Sequence, residues 1–499
     1  MKRYLLLIVF AWLFVNGPQS YAQITFNNTY HDDVDGIFTI LVDGSGYKQV
    51  MHSMDSPYRS FIFQNLDSNG NVLLSKKYGG APETYAVYSL IKTADSNFAI
   101  GAYKYDFIDN RSYGFIGKLN SIGDTLWTKS YIAPNNNNFI GDYMIETSDH
   151  GFLITGQLVD STFTNGDIAI MKSDSVGNFE WMNSLSGVNS DCGYSSVQTP
   201  DGGYLTAGWT RSFGFGNNSN RDVILVKWDS LGNYLWYQTY GSSDYEMAIG
   251  ITQLSDGNYI LSCGSYILPN GPNRGWIIKI DQSGAVLWQK FQYSDVDCYN
   301  WVREMSNFDL VGSSSRRVNG IDDGFIIRTD SSGNEKWRRQ YRFGNDHCYF
   351  RDVQETPDGG IICAGFVFDG ASGGQDGWLV KLDSTGCLSS GCGEPTSILE
   401  TPAASSYTIS VSPNPVKEEA VIKIEGLSAE LLEESYLVNV YDLTGKLVAS
   451  PRTGFLIAAD NVQFIFKSES LVSGIYLLEI STTKSERIGV VKLVVQSSE

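Results

Sequence analysis

A segment of about 50 residues recurs seven times along this chain, and that repetition limits the possible folds more than any other feature. Its clearest copy spans 224–241, where an Asp-x-x-Gly turn separates two runs of β-forming residues. The turn glycines follow one another at intervals of 53, 54, 55, 52, 49 and 53 residues: Gly70, Gly123, Gly177, Gly232, Gly284, Gly333 and Gly386. A near-constant period of this length is typical of a stacked or circular array of one supersecondary unit.

Each repeat reads as four short strands. In the fifth copy the β-branched and aromatic runs are 246–254, 259–263, 276–280 and 286–291, each bounded by turn residues. Asp-Gly turns and two degenerate versions of them separate the first two strands, and this second series also counts seven. Four strands per unit predict an all-β chain with seven β-propeller blades.

The two ends of the repeat series predict how the ring closes. The last copy stops just after Gly386, without the fourth strand that every other copy has. A strand-like run, Ile24–Tyr30, precedes the first Asp-Gly turn. We therefore expect a seven-bladed propeller over 23–392 in which the N-terminal strand completes the last blade, since closure removes an exposed sheet edge.

The N-terminus has the layout of a secretory signal peptide. Lys2 and Arg3 precede an apolar run of about 12 residues and a small-residue end at Ala22, so residues 1–22 are expected to be removed. Loss of the two basic residues changes the formal net charge from −19 to −21. So acidic a chain is a poor partner for nucleic acids, and it suits a secreted or surface protein.

Cysteines and histidines give no sign of a metal site. There is no Cys-x-x-Cys pair, the four histidines are scattered, and we expect neither a metal nor a cofactor. Cys387 and Cys392 are close enough for a local disulfide at the end of the repeats.

Residues that recur in every blade are interpreted as scaffold. The tryptophan four residues after most turn glycines predicts packing between neighbouring blades. A basic residue lies five positions before each turn glycine after the first, such as Lys227, and on the same strand face as the turn aspartate. This spacing predicts a structural network between the two, with a cationic ligand ring as the alternative.

Function is expected on the face opposite these short turns, where the longer and more variable loops lie. The loop that follows the second strand of the fourth copy is the one richest in exposed aromatic residues. A second set of candidates consists of four aspartates at or just before the first strand of a repeat. The ligand-binding candidates are Trp209, Arg211, Phe213, Phe215, Asp191, Asp244, Asp297 and Asp346. The alternative for the aspartates is that they cap strand ends.

After a linker at 393–406, residues 407–499 predict a second domain. Seven short strand candidates in this stretch favour a small Ig-like β-sandwich. Four sequence blocks occur in order in this stretch: 412–415, 438–448, 471–478 and 490–495.

These blocks resemble the type A C-terminal sorting domain of the type IX secretion system. The matching positions are Pro413, Asn414, Pro415, Tyr441, Asp442, Gly445, Lys446, Gly474 and Tyr476. The resemblance implies the secretion machinery and its sorting peptidase as partners, and release or attachment to lipopolysaccharide at the surface of a diderm bacterium. It does not imply a substrate.

The leading hypothesis is a non-catalytic propeller that binds a surface glycan or protein. The alternative is a secreted carbohydrate-active enzyme, a hydrolase or lyase, which would bring carboxylates together at the channel mouth. A third hypothesis, a purely structural surface component, predicts no discrete pocket.

Overall fold

The computed structural model describes residues 24–30, 34–44, 46–53, 58–161, 163, 165–214, 220–242, 244–266, 273–294, 296, 299–318, 320–343, 346–368, 374–388, 408–425, 436–441, 447–449, 455–458, 461–468, 471–482 and 487–496. The chain divides into two compact units, Met1–Ser397 and Ile398–Glu499. The predicted signal peptide (1–22) and linker (393–406) lie outside the described residues.

The first unit contains seven antiparallel sheets of four strands each. Blades 1 to 3 are β2–β5 (Val34–Asp43, Gly46–Ser53, Phe61–Leu66, Val72–Tyr78), β6–β9 (Glu83–Lys92, Phe98–Asp106, Arg111–Leu119, Thr125–Tyr131) and β10–β13 (Asn138–Glu146, Phe152–Val159, Gly166–Ser173, Phe179–Leu185). Blades 4 to 6 are β14–β17 (Asp191–Gln198, Tyr204–Thr210, Asp222–Trp228, Tyr234–Tyr240), β18–β21 (Tyr245–Gln253, Tyr259–Tyr266, Asn273–Ile280, Val286–Ser294) and β22–β25 (Trp301–Glu304, Leu310–Val318, Ile321–Thr329, Glu335–Tyr341). Blade 7 consists of β26, β27, β28 and β1 (His347–Glu355, Ile361–Phe368, Gln375–Leu382, Phe26–Tyr30).

The sheets form a closed ring of seven blades. Each first strand contacts the first strands of both neighbouring blades all the way round, so these seven strands surround the central axis. Hydrophobic clusters lie between blades; one of them joins Val50 and Phe63 of blade 1 to Val87 and Ile100 of blade 2. The predicted seven-bladed propeller is confirmed.

Tryptophans pack on the turn of the next blade, as their repetition predicts. The turn glycine Gly177 has φ 81°, and a Cβ added there would come within 2.7 Å of the Trp127 ring. Trp181, Trp288 and Trp337 stand in the same way over Gly232, Gly333 and Gly386. Glycine therefore serves both the left-handed turn and the close approach of the ring.

A tyrosine eight residues after the turn glycine adds a hydrogen bond between blades. Its hydroxyl donates to the carbonyl of the next turn glycine: Tyr131 to Gly177 (2.9 Å), Tyr240 to Gly284 (2.6 Å), Tyr341 to Gly386 (2.7 Å), and Tyr78 to Gly123. The sequence analysis did not predict this contact.

Strand β1 closes the ring by supplying the fourth strand of the last blade. It pairs antiparallel with β28 from Phe26 opposite Lys381 to Tyr30 opposite Gly377. Phe26 contacts the first turn glycine, Gly70, and the Tyr30 hydroxyl donates to the Gly70 carbonyl at 2.7 Å. These two residues thus occupy the places that tryptophan and tyrosine hold in the other blades.

The recurring basic residue forms a structural network, but with a different aspartate from the predicted one. Lys227 Nζ lies 2.8 Å from Asp201 of the Asp-Gly turn, not against the aspartate two residues further along its own strand. The reason is that β16 pairs with β15, whose preceding turn brings Asp201 alongside. Equivalent pairs are Lys118–Asp95, Lys172–Asp149, Lys279–Asp256, Arg328–Asp309 and Lys381–Asp358.

The described residues of the second unit form a β-sandwich of eight strands, one more than predicted. One sheet has the order β29, β30, β34, β33 (Thr408–Ser412, Glu419–Glu425, Asn461–Lys467, Phe455–Ala458), and the other β32, β31, β35, β36 (Leu447–Ala449, Tyr436–Tyr441, Gly474–Thr482, Arg487–Val495). Strand β33 was not predicted. The core of the sandwich joins Ile422 and Phe464 of one sheet to Val440 and Leu478 of the other.

Candidate functional site

The loop after β15 does not present Trp209 as a free aromatic. The sequence analysis expects exposed aromatics here, but Trp209 is only 6% exposed. The guanidinium of Arg221 lies 3.7 Å from the centre of its ring and 4.8 Å from that of Tyr245 on the next blade. Arg211 also approaches the Trp209 ring, at 5.8 Å. Cation–π contacts from its own loop and from Arg221 thus cover this side chain.

The other aromatic candidates of that loop have different positions. Phe213 is partly buried and packs against Tyr237, with the ring centroids 4.8 Å apart. Phe215 lies outside the described residues, so its predicted role stays a prediction.

Asp191 holds the same loop in place. It is fully buried, and its Oδ1 accepts hydrogen bonds from the Thr210 hydroxyl (2.6 Å) and from the backbone N–H groups of Arg211 (3.0 Å) and Ser212 (3.1 Å). Burial raises the pKa of its carboxyl. The capping alternative thus describes Asp191.

The structural equivalent of Asp191 in blade 5 is Glu246, two residues beyond the predicted Asp244. Asp191 pairs with Thr210 and Glu246 pairs with Ser265, and each partner lies eight residues after the glycine of its Asp-Gly turn. This equivalence was missed because only aspartates were compared, although Asp191 and Glu246 each lie 14 residues after the preceding turn glycine, Gly177 or Gly232. Asp244 lies in the loop before β18.

The remaining aspartate candidates carry less information. Asp297 lies outside the described residues. Asp346 is partly buried just before β26, and its backbone N–H approaches the Phe343 carbonyl at 3.5 Å.

A second set of side chains meets at the centre of the ring. The first strands of blades 2, 3, 4, 5 and 7 each contain a β-bulge at the same register, and blade 6 has the equivalent residue just before β22. These six residues, here called the axial ring, are Tyr88, Asp142, Tyr194, Ile249, Asn300 and Arg351. All six are partly exposed although they lie on or beside the innermost strands, which indicates that solvent reaches them along the axis.

Asp142 is the one carboxylic acid of the axial ring. Burial raises its pKa to about 8, so the group is largely neutral at physiological pH. The Cys192 sulfur lies 4.0 Å from Asp142 Oδ2. A neutral carboxyl can both donate and accept a hydrogen bond.

Tyr88 and Tyr194 flank this acid in the axial ring. The Tyr88 ring lies 6.5 Å from that of Tyr103. Burial raises the pKa of Tyr88, and the nearby charges of Arg351 and Arg59 act in the opposite direction. Burial likewise raises the pKa of Tyr194. Arg351 donates to Asn300 Oδ1 at 3.1 Å, which links two neighbouring members of the axial ring.

Tyr143 and Trp301 form a floor beneath the axial ring. They come from blades 3 and 6, on opposite sides of the axis, and their ring centroids are 4.8 Å apart. Arg303 lies over the Trp301 ring at 4.6 Å and is paired with buried Asp352 at 2.9 Å. Both aromatic residues follow the axial ring in strands that run towards the short turns. The axial ring and this floor together are called the axial cup. The axial ring lies on the side of the long loops, and the floor lies on the side of the short turns.

The chemistry of the axial cup is that of a hydrogen-bonding and stacking site. Phenol, amide, guanidinium and neutral carboxyl groups converge there, while the floor is aromatic. Among the described residues, no group of three or more His, Cys, Asp or Glu side chains is placed to hold a metal ion. In the same part of the chain, no helix is long and apolar enough to cross a membrane.

The sorting-motif residues lie in the second unit. Asn414 Oδ1 accepts the backbone N–H of Val494 at 2.9 Å, between Pro413 and Pro415. Gly474 begins β35, Tyr441 ends β31, and the Tyr476 hydroxyl donates to the Val472 carbonyl at 2.8 Å. Asp442, Gly445, Lys446 and Cys392, the predicted disulfide partner of Cys387, lie outside the described residues.

Residues 410–496 match the family model described as the secretion system C-terminal sorting domain. This match confirms the resemblance drawn from the sequence, and it identifies a protein that is exported to the cell surface or secreted and that engages the type IX secretion machinery. No curated protein matches the chain.

Solved structures similar to this chain are β-propellers. PL25 ulvan lyase, a polysaccharide lyase bound to -[GlcA(1-4)Rha3S]-, has a TM-score of 0.50 at 10% identity and covers 73% of this chain and 96% of its own. Polysaccharide lyase Uly1 has a TM-score of 0.44 at 9% identity, with 70% and 90% covered. The β-propeller domain of the Trilobed protease from Pyrococcus furiosus has a TM-score of 0.42 at 9% identity, with 71% and 96% covered. At such identities the likeness shows the fold alone.

Proposed function

We propose that this protein is an exported, non-catalytic binding module that holds a glycan in the axial cup. The axial ring carries the proposal. At one structurally equivalent position, six blades present tyrosine, aspartate, isoleucine, asparagine or arginine, whereas scaffold positions repeat tryptophan, glycine and lysine. Divergence at a solvent-reached position of a rigid scaffold is expected where the molecule meets its ligand.

The side chains of the axial cup favour a glycan over a protein ligand. Tyr88 and Tyr194, with Tyr103 next to Tyr88, offer apolar rings with polar tips, which suit the faces and edges of sugars. Asn300, Arg351 and the neutral Asp142 supply donors and acceptors for hydroxyl groups. The cup lies recessed on the axis, so it fits the end of a narrow chain better than the broad surface of a folded protein.

A carbohydrate-active enzyme is the second candidate, and Asp142 is the observation that favours it. A carboxyl with a pKa of about 8 is able to act as a general acid near neutral pH. Hydrolysis by the usual mechanism needs a second carboxylate across the bond. Among the described members of the axial ring, Asp142 is the single carboxylic acid, and Asp352 at the floor is paired with Arg303. Because the axial ring offers one carboxylic acid where this mechanism needs two, we rank the binding module above the enzyme.

The proposal is tested by screening the full chain against a glycan array and measuring the best ligand by calorimetry. Tyr194→Ala should weaken binding about tenfold, because stacking area and a polar tip are lost. Tyr234→Ala, a matched change on outer strand β17 where the side chain is 43% exposed, should bind like wild type. Equal binding by wild type and Tyr194→Ala would refute the axial cup as the site.

The same glycan distinguishes the two candidates. Depolymerisation by wild type that Asp142→Asn abolishes would establish the enzyme. A bound glycan that stays intact supports the binding module.

We further propose the processing that the sorting domain implies. Cleavage before Gln23 removes residues 1–22, and the sorting peptidase cuts in the linker at 393–406. The propeller is then released or attached to lipopolysaccharide. A Cys387–Cys392 disulfide would protect the new C-terminal end, and an Ig-like topology of the sandwich belongs to the same proposal.

A further inference from the structure

A pocket of about 360 Å³ lies between blades 4 and 5, apart from the axial cup. One side is formed by the end of β17 and the loop that follows it, including Gly241 and Ser242. The other side is formed by strands β18 to β21. No role in the preceding sections accounts for it.

The floor of this interblade pocket contains a buried acceptor without a partner. Glu246 is only 3% exposed, and its Oε1 accepts a hydrogen bond from the Ser242 hydroxyl at 2.7 Å. Its other oxygen, Oε2, has no hydrogen-bond partner among the described residues. A buried carboxylate oxygen left in this state is unfavourable, so a ligand that donates to it is stabilised.

The wall contains a buried donor in the same condition. Trp276 is 3% exposed, and its Nε1–H has no hydrogen-bond partner among the described residues. Its ring stacks on Phe291 with the centroids 5.0 Å apart and the planes 10° apart. Phe291 is itself 49% exposed, so the rim offers a flat apolar surface.

The charge around the floor is negative. A Cβ on Gly241 would touch carboxylate oxygens of both Asp222 and Glu246, so the two acids crowd one point. Burial, aided by the charges of Asp222 and Asp244, raises the pKa of Glu246. Among the described residues that line the pocket, Arg274 is the one cationic side chain, and it is exposed. The floor therefore favours a cation.

We infer that the interblade pocket binds a ligand that carries a primary ammonium group next to a hydrogen-bond acceptor. The ammonium group donates to Glu246 Oε2, and the acceptor receives the Trp276 Nε1–H. The carbon skeleton lies against Trp276 and Phe291, where the cation is also favoured by the ring faces. Two sources share this chemistry: an amino sugar with a free amine, and a lysine side chain flanked by its peptide carbonyl.

The test is calorimetric titration of the full chain with D-glucosamine and, separately, with Nα-acetyl-lysine amide. N-acetylglucosamine is the matched ligand, because acetylation removes the charge and keeps the ring. Binding of either amine, with the acetylated sugar at least tenfold weaker, supports the inference and identifies the source. Failure of both amines to bind, or equal binding of the acetylated sugar, overturns it.

The matched variants are Glu246→Gln and Trp276→Phe. Glu246→Gln keeps the shape of the side chain and its contact with Ser242, and it should weaken amine binding about tenfold or more. Trp276→Phe should weaken binding by a smaller factor. Asp191→Asn, at the equivalent place in blade 4, and Tyr194→Ala, in the axial cup, should leave amine binding unchanged. Thermal unfolding confirms that each variant is folded, and wild-type affinity in folded Glu246→Gln overturns the inference.

Failure here is distinguishable from failure of the glycan proposal. Tyr194→Ala reports on the axial cup and Glu246→Gln on the interblade pocket, so each site is judged by its own variant.

Discussion

Asp142 lies where other blades carry tyrosine, isoleucine, asparagine or arginine, and it is the residue whose chemistry depends most on its position. The same carboxyl in an exposed turn, such as that of Asp229, accepts two backbone N–H groups, and hydrogen bonds lower its pKa. On the axis, burial acts in the opposite direction. Identical side chains thus differ in charge at neutral pH because of their surroundings.

This position makes stability depend on pH in a definite direction. The folded protein keeps the Asp142 proton up to about pH 8, while the unfolded chain releases it near the ordinary value of 3.8. Between these values the folded state binds more protons, so the free energy of unfolding falls as pH rises. Asp142→Asn should therefore gain stability over wild type from pH 4 to pH 8, by about 1–3 kcal/mol after allowance for partial exposure.

Urea denaturation of wild type and Asp142→Asn across this pH range measures the effect. A stability difference that stays constant with pH would contradict it.

The sequence located the scaffold residues and missed the axial ring, for a physical reason. Trp127 and Gly177 are visible because every blade needs them and the same residues recur. Asp142 and Arg351 occupy the same position in their blades, but one is an acid and the other a base, so no residue type repeats. A β-bulge brings them into register, and a bulge depends on strand pairing. Glu246 was missed because only aspartates were compared, although it has the same spacing from its turn glycine as Asp191. Tyr131 was detectable: a tyrosine eight residues after the turn glycine recurs in the sequence.

Within a blade, the lysine of the third strand joins two hairpins. Lys227 reaches from β16 to Asp201 and to the Thr199 hydroxyl (2.5 Å) in the turn before β15. The lysine side chain is 8% exposed and the aspartate 62%. The two partners therefore contribute unequally, because only the ammonium group has lost most of its hydration.

Removal of the aspartate should cost more than removal of the lysine. Asp201→Ala leaves a buried ammonium group with the Thr199 hydroxyl alone, and we expect a loss of about 1–3 kcal/mol in the free energy of unfolding. Lys227→Met fills the same space without charge and leaves an aspartate that water can reach, so its effect should stay within about 1 kcal/mol. Chemical denaturation of the two single variants decides, and the reverse order would contradict the asymmetry.

At the scale of the whole molecule, stability depends on the strand that closes the ring. Sequence patterns were sufficient to predict this closure, because the missing fourth strand after Gly386 and the extra strand before the first repeat are both visible in the chain. The order of the sandwich strands was beyond such reasoning, since β33 is only four residues long and strand order depends on pairing between distant segments.

A chain that lacks residues 24–30 should retain blade structure but lose closure. The edge of β28 would then expose unpaired backbone groups, which promote association with another chain. We expect a lower thermal midpoint and association that increases with protein concentration, measured by light scattering. Addition of a peptide with the sequence of 24–30 should restore the monomer. Tyr30→Phe is the mild control, since it loses one hydrogen bond and about 1 kcal/mol.

A monomer with wild-type thermal midpoint after removal of residues 24–30 would show that closure does not depend on β1.

Closure by β1 also fixes the order of events in the life of the chain. The Trp378 Nε1–H donates to Asn27 Oδ1 at 2.6 Å although the two residues are 351 positions apart, so the first strand of the propeller to be synthesised pairs with one of the last. Joining points this far apart costs about 5 kcal/mol of loop entropy, and no local contact can form the pair earlier. Strand β1 therefore stays unpaired until β28 of the last blade is available. Until then the β1 strand of a second chain is able to pair with the open edge of β28, and exchange of this strand would give a swapped dimer.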